Sequence, residues 1–96
     1  MQQDQQCVAI ERRHEEALTL LIEECAEVIQ TVCKVKRFGA DTKSPGANEK
    51  NGKMLTEELA DLLAVIRLAE QHGAIDLPNE GMIRRAIARK QRYSSL

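Results

Sequence analysis

The feature that most restricts the fold of this chain is a long run without glycine or proline. Residues 5–37 contain neither, so one helix can continue through the whole segment. Within residues 17–35 the apolar side chains fill one half of a helical wheel, which is typical of an amphipathic helix. The polar half contains one apolar intruder, Leu20. Gly39 follows Phe38 as a natural stop, so the sequence predicts a helix over roughly residues 5–37.

Two further helices are predicted after a polar loop. The loop, residues 39–52, reads GADTKSPGANEKNG and has too little apolar content to pack firmly, so we expect it to be flexible. Residues 53–72 and about 79–92 are helix-compatible, with Asn51 and Asn79 as candidate N-caps. No segment alternates between apolar and polar residues with a period of two, so no strand is predicted.

The composition limits the core that this chain can build alone. The chain has 96 residues, and although 43% are hydrophobic, only Phe38 and Tyr93 are aromatic. One domain of this size is barely large enough to bury a core by itself. We therefore predict an all-α fold, a small helical bundle in a single domain over residues 1–96, whose core is completed by dimerisation.

The charges are unevenly distributed along the chain. Residues 1–33 carry seven acidic and two basic residues, whereas residues 82–93 carry five basic residues and no acidic one. The basic end could form a nucleic-acid-binding helix. However, the net charge is −1 and only Tyr93 could stack on a base there, so nucleic acid is disfavoured as a partner.

The cysteines and the hydropathy pattern indicate the cellular compartment of the protein. Cys7, Cys25 and Cys33 are odd in number and form no C-x-x-C pair, which disfavours a disulfide framework or a zinc site. Cys25 and Cys33 fall on the apolar half of the first helix, so we expect small buried hydrophobes there. No segment resembles a signal peptide, and no apolar run approaches the roughly 20 residues of a membrane span. We therefore expect a soluble, cytoplasmic protein without a membrane partner.

Four carboxylates stand out by their spacing. Glu58 and Asp61 are three residues apart and fall inside the apolar surface of the second helix. Burying such a pair costs several kcal/mol per ion, which basic side chains, protonation or a cation must offset. Glu24 and Glu27 repeat the spacing on the first helix. The loop between the helices favours antiparallel packing, which would bring the two pairs together.

A cluster of carboxylate oxygens suits a hard cation, Mg²⁺ or Mn²⁺. One alternative is that Lys34, Arg67 or the C-terminal arginines pair with these acids in a structural network. Glu23 lies about 100° from Glu24 around the helix, where it could support the site, orient a water or be solvated. His14 and His72 receive no role.

These motifs resemble those of a known family. Glu23-Glu24-x-x-Glu27 followed by Glu58-x-x-Asp61 resembles the EExxE…ExxD signature of the MazG-like, all-α nucleoside triphosphate pyrophosphohydrolases. The segments LLIEECAEVIQ and ELADLLAVI resemble the two metal-binding helices of that family, and the resemblance covers most of the chain.

The resemblance implies Mg²⁺-dependent hydrolysis of an NTP or dNTP to the monophosphate and pyrophosphate, in a homodimer or a dimer of dimers. Nucleotide-pool cleansing and alarmone control are alternative roles. It implies four metal ligands: Glu24, Glu27, Glu58 and Asp61. Glu23 would support the site or the attacking water. Arg85, Arg89 and Lys90 are candidates to bind the substrate phosphates, or they form a solvated helix end that complements the helix dipole.

Two other functions compete with the enzyme. One is a helical dimer with only an interaction role, and the other is a nucleic-acid-binding module that uses the basic C-terminal helix. Neither of them needs Glu58 and Asp61 on an apolar face, so this pair favours the enzyme.

Overall fold

The computed structural model describes the backbone of residues 2–96 and the side chains from Arg12 onwards. Cys7 lies outside the side chains described. The regular structure consists of three α-helices: α1 (Gln2–Phe38), α2 (Asn51–Gln71) and α3 (Glu80–Arg92). No strand occurs within residues 2–96, so the predicted all-α class is confirmed.

The two long helices end at glycines in left-handed conformation, as predicted. Gly39 has φ 93° and Gly73 has φ 78°, a region that L side chains rarely adopt. At the end of α2, the N–H of Gly73 donates to the carbonyl of Glu70 (3.0 Å), and that of Ala74 donates to Ala69 (2.8 Å). This pair of hydrogen bonds is a Schellman motif, which satisfies carbonyls that the helix itself leaves open.

Asn79 and Asn51, the two candidate N-caps, have different roles. The side chain of Asn79 accepts a hydrogen bond from the Met82 N–H (2.9 Å), so its predicted capping of α3 is confirmed. The prediction for Asn51 is wrong. Asn51 is the first residue of α2, after Lys50, and its side chain caps nothing in its own helix. It is fully buried instead, and its Nδ2 donates to the carbonyl of Gly39 at 3.1 Å.

The loop between α1 and α2 is fastened to the start of α2 through the backbone. The Asn51 N–H donates to the carbonyl of Thr42 (2.8 Å), and the Gly52 N–H donates to that of Ala40 (2.9 Å). Loop carbonyls thereby satisfy the first N–H groups of α2, which have no partner within the helix. The flexibility of the loop remains a prediction, and these bonds restrict it to the residues between Thr42 and Asn51.

His14 forms the corresponding connection at the other end of the helix pair. Its Nε2 lies 2.9 Å from the carbonyl oxygen of His72, just after the end of α2. No role for His14 was predicted from the sequence. The structure shows that it links α1 to the C-terminal end of α2.

The chain forms one layer of helices and not two. α1 and α2 pack on each other, whereas α3 packs on neither of them within the described part of the chain. The Cα atoms extend over 56 × 38 × 15 Å, and a helix with its side chains is itself about 10–12 Å across. The radius of gyration is 17.7 Å, compared with about 12.5 Å for a compact domain of this length.

The layer leaves much of its apolar surface uncovered. The apolar residues buried among those described are Ala17, Val65 and Ala69. An exposed apolar stripe follows α1 at alternating spacings of four and three: Leu18, Ile22, Cys25, Ile29 and Val32. Ile22 is 69% exposed, Ile29 65% and, on α2, Leu63 59%.

The predicted burial of Cys25 and Cys33 is wrong for the single chain, since both are exposed. The reason is the direction from which α2 approaches. It covers the side of α1 that carries Ala17, Glu24 and Thr31, of which Ala17 and Thr31 are buried. The centre of the apolar half therefore faces away from α2.

We predict that Asn51→Ala lowers the free energy of unfolding by about 1–3 kcal/mol, because a fully buried side chain loses its hydrogen bond to Gly39. Urea unfolding followed by circular dichroism measures the change. Asn48→Ala, at an exposed loop position, is the matched control and should stay within about 0.5 kcal/mol of wild type. Equal stability of the two variants would contradict a structural role for Asn51.

Candidate metal centre

Three carboxylates from two helices meet where α1 packs on α2. Glu24, Glu58 and Asp61 each place an oxygen so that the three oxygens lie within 4.8 Å of one another. Glu24 comes from α1, while Glu58 and Asp61 are one turn apart on α2 and so point the same way. Glu24 and Glu58 are half-buried, and Asp61 is exposed.

Glu27 and Glu23, the other predicted acidic residues, lie at the edge of this group. Both are exposed, and neither belongs to the three whose oxygens meet. Glu27 is nonetheless close enough for its charge to raise the pKa of Glu24 and of Glu58, and the charge of Glu23 raises the pKa of Glu24. The structure thus brings the oxygens of three of the five predicted acids together and places Glu27 and Glu23 near them.

Partial burial and mutual repulsion both act on the two half-buried carboxyls. The pKa of Glu24 is raised first by burial and then by the charges of Asp61, Glu27 and Glu23. Burial is also the main cause of the raised pKa of Glu58, followed by the charges of Glu27, Asp61, Glu24 and Glu57. Both effects disfavour the ionised form.

No basic side chain offsets this charge within the described part of the chain. The ion pair found there joins Lys53 Nζ to Glu49 Oε1 at 3.2 Å, both outside the cluster. Neither Lys34 nor Arg67 forms an ion pair with these acids. The sequence alternative of a structural network that includes these two residues therefore has no support in this chain.

A hard cation fits this donor set. Oε2 of Glu24 is buried and has no hydrogen-bond partner. Ionised carboxylates only accept hydrogen bonds, so a group of them lacks donors of its own. Oxygen ligands are those that Mg²⁺ and Mn²⁺ prefer. A cation would therefore supply both the missing partner of Oε2 and the missing positive charge.

The predicted phosphate-binding residues are not brought to this point within one chain. Arg85, Arg89 and Lys90 lie on α3, which packs on neither α1 nor α2 in the part of the chain described. All three are exposed.

Comparison with known proteins adds one finding. The sequence profile of the MazG nucleotide pyrophosphohydrolase domain matches residues 12–92. The chain belongs to this family. The resemblance noted from EExxE…ExxD is thereby confirmed, and membership implies a hydrolase of the nucleotide pyrophosphohydrolase class. No curated protein and no solved structure gives a significant match.

The helices contain no candidate for a membrane span. Among the residues described, none of them is long and apolar enough to cross a bilayer.

Sequence reasoning missed a cavity next to the carboxylates, which is lined in part by Leu20 and Leu68. One signal was available, because Leu20 is the apolar residue that interrupts the polar half of the α1 wheel. An apolar side chain on the polar side of an amphipathic helix lies apart from the apolar half of that helix. It therefore indicates contact with a different surface.

The raised pKa of Glu58 leads to a pH-dependent prediction. Because this pKa is higher in the folded protein than in the unfolded chain, the metal-free protein loses stability as the pH rises through the folded value. Glu58→Gln removes the charge. In a chelator, the variant should be at least as stable as wild type at about pH 7.5, and the difference should shrink toward about pH 5.

Thermal unfolding of wild type and variant at both pH values measures this difference. A loss of roughly 3–5 kcal/mol in Glu58→Gln at neutral pH would contradict the prediction, because such a loss is expected when a buried basic partner is left without its counter-charge.

Proposed function

We propose that the protein hydrolyses a nucleoside or deoxynucleoside triphosphate to the monophosphate and pyrophosphate with Mg²⁺, for which Mn²⁺ can substitute. The observation that carries this proposal is the group Glu24, Glu58 and Asp61 with its unpartnered buried oxygen, in a chain of the MazG family. An interaction module would gain nothing from three like charges that weaken the contact between its two packed helices.

The proposed metal ligands are Glu24, Glu27, Glu58 and Asp61, held by α1 and α2 as an antiparallel pair. Contacts at both ends support this arrangement, since Asn51 at the start of α2 bonds to Gly39 after α1, and His14 bonds to His72. When bound, the cation would polarise phosphate oxygens, lower the pKa of a bound water and neutralise part of the substrate charge.

The side chains around the ligands have separate tasks in this proposal. Glu23 is exposed beside Glu24, where its carboxylate can accept a proton from the attacking water. Glu27 lies at the edge of the group, from which it can turn toward a cation without repacking. The basic side chains of α3 bind phosphates when α3 packs beside a metal site; these are Arg85, Arg89 and Lys90. Their positively charged groups donate hydrogen bonds to phosphate oxygens.

The activity test replaces one ligand at a time without changing side-chain size. Glu58→Gln and Asp61→Asn should each reduce pyrophosphate release from a mixture of nucleotides by at least about 100-fold, because a carboxylate ligand becomes a neutral amide. Both variants should remain folded in a chelator. Mg²⁺ should raise the melting temperature of wild type but not that of the variants.

Glu70→Gln is the matched control for this test, since Glu70 is an exposed acid on the same helix outside the cluster. Glu57 is less suitable, because its charge contributes to the raised pKa of Glu58. The proposal fails if wild type releases no pyrophosphate from any nucleotide, or if the ligand variants match Glu70→Gln in activity.

We also propose that this one domain, residues 1–96, acts in the cytoplasm as a homodimer or a dimer of dimers. In an antiparallel pair, positions at the same angle from the α1–α2 contact lie on the same side of the layer. Measured around the helix axis, the α1 stripe lies about 120° from Glu24. On α2, Leu59 and Leu63 lie about 120° from Glu58 in the same sense. The layer then has an apolar side and an acidic side, and a second copy covers the apolar one.

We predict that Ile29→Asp dissociates this dimer. Ile29 is 65% exposed in the single chain, and its replacement puts one unpaired charge from each copy into the contact. Losing the burial of two isoleucines should weaken association by at least about 100-fold. Sedimentation velocity at micromolar concentration measures it, with the neighbouring Gln30→Asp, on the polar side, as control. A wild-type chain that sediments as a folded monomer would refute the dimer.

A further inference from the structure

An apolar cavity lies between α1 and α2 on the side toward the C-terminal end of α2. Its volume is about 320 Å³, which is in the range of small-molecule sites. The floor is apolar and consists of Ala17, Leu20, Val65 and Leu68. Two side chains of opposite charge, Arg13 and Glu16, and His72 complete the lining. An apolar floor with a few polar groups at its edge is typical of sites for organic ligands.

The cavity begins one helical turn from the carboxylates. Leu20 precedes Glu24 by four residues and Val65 follows Asp61 by four, each about 6 Å along its helix. Leu68 is about one further turn away. The cavity therefore starts beside the proposed metal site and extends away from it along both helices, over a distance that suits the nucleoside part of a nucleotide.

A second, open depression lies beside the first on the surface of α1. It shares Glu16 and Leu20 with the apolar cavity, and its lining continues to Glu23. Glu23 is the neighbour of Glu24 in sequence. A ligand in the apolar cavity therefore lies beside the α1 surface that carries Glu23.

The opposite side of the carboxylate group has a different character. There, a cavity of about 440 Å³ is bounded by loop residues 46–49, Glu57 and Glu58, and much of its lining is polar. The two sides of the carboxylate group therefore differ in character, since the cavity beside residues 46–49 is acidic, with Glu49, Glu57 and Glu58 in its lining, and the other cavity is mainly apolar.

We propose that the apolar cavity binds the nucleobase of the substrate, with the phosphates directed toward the proposed metal ligands. This inference rests on the proposed function and adds the orientation of the substrate and the residues that select its base. Leu20 and Leu68 contact the faces of the base. Arg13 only donates hydrogen bonds and the Glu16 carboxylate only accepts them, so together they match a base edge that has an acceptor and a donor.

The first experiment measures binding without phosphates, so it does not depend on hydrolysis. The four deoxynucleosides are added to the protein in a chelator, and amide NMR signals are followed. Shifts should concentrate in residues 13–20 and 65–72. Leu68→Ser should weaken binding by about tenfold, because the base loses apolar contact, whereas Leu68→Met should retain it. The control is Leu77→Ser, at an exposed leucine outside the cavity.

The second experiment measures kinetics with Mg²⁺ and the four deoxynucleoside triphosphates. Leu68→Ser should raise KM about tenfold with little change in kcat, because the base contributes binding and not chemistry. Arg13→Gln and Glu16→Gln should each change the relative kcat/KM among the four substrates by about tenfold. Arg67→Gln and Glu70→Gln, exposed residues of α2 outside the cavity, are the matched controls.

The outcomes separate this inference from the proposed function. If wild type hydrolyses nucleotides but the cavity variants keep its KM and its substrate ratios, the base binds elsewhere and the inference is overturned. The inference is also overturned if the nucleosides shift amide signals outside residues 13–20 and 65–72, or if they shift no signal up to their solubility limit. If nucleosides bind in the cavity but no nucleotide is hydrolysed, the base site stands and the proposed reaction is wrong.

Discussion

The structure depends on one unfavourable contact, the meeting of like charges where the two long helices pack. Glu24 and Glu58 are half-buried opposite each other, and partial burial together with neighbouring acids raises the pKa of both. The helix pair therefore needs attachment elsewhere. Hydrogen bonds of Asn51 beside the loop and of His14 at the far end, together with the buried apolar residues of the pair, attach α1 to α2 on both sides of a repulsive centre.

The thin layer gives the two sides of the helix pair different tasks. A layer 15 Å thick cannot bury its own apolar surface, because a stable domain needs at least two packed layers. With a second copy on the stripe of Ile22 and Ile29, the acidic side remains open to solvent and substrate. The same division explains why few aromatic residues suffice, since the proposed core is shared between two chains.

Sequence periodicity predicted the helices well but not their orientation toward one another. The glycine stops and the three-residue spacing of each acidic pair are properties of one helix at a time. The meeting of Glu24 with Glu58 and Asp61 also required the packing of two helices, which was inferred from the loop that joins them. The exposure of Cys25 and Cys33 could not be predicted, because a wheel shows which half is apolar and not which part of it another helix covers. Asn51 was misassigned for a similar reason, since its hydrogen-bond partner is distant in sequence.

The proposed base site also implies that cation and nucleotide bind cooperatively. Without a cation, the negatively charged phosphates would approach a group of negatively charged carboxylates. A cation between them removes this repulsion. Since coupling between two ligands is reciprocal, the nucleotide must increase the affinity for the cation by the same factor. The repulsion that weakens the unliganded helix pair therefore makes the binding of either ligand depend on the other.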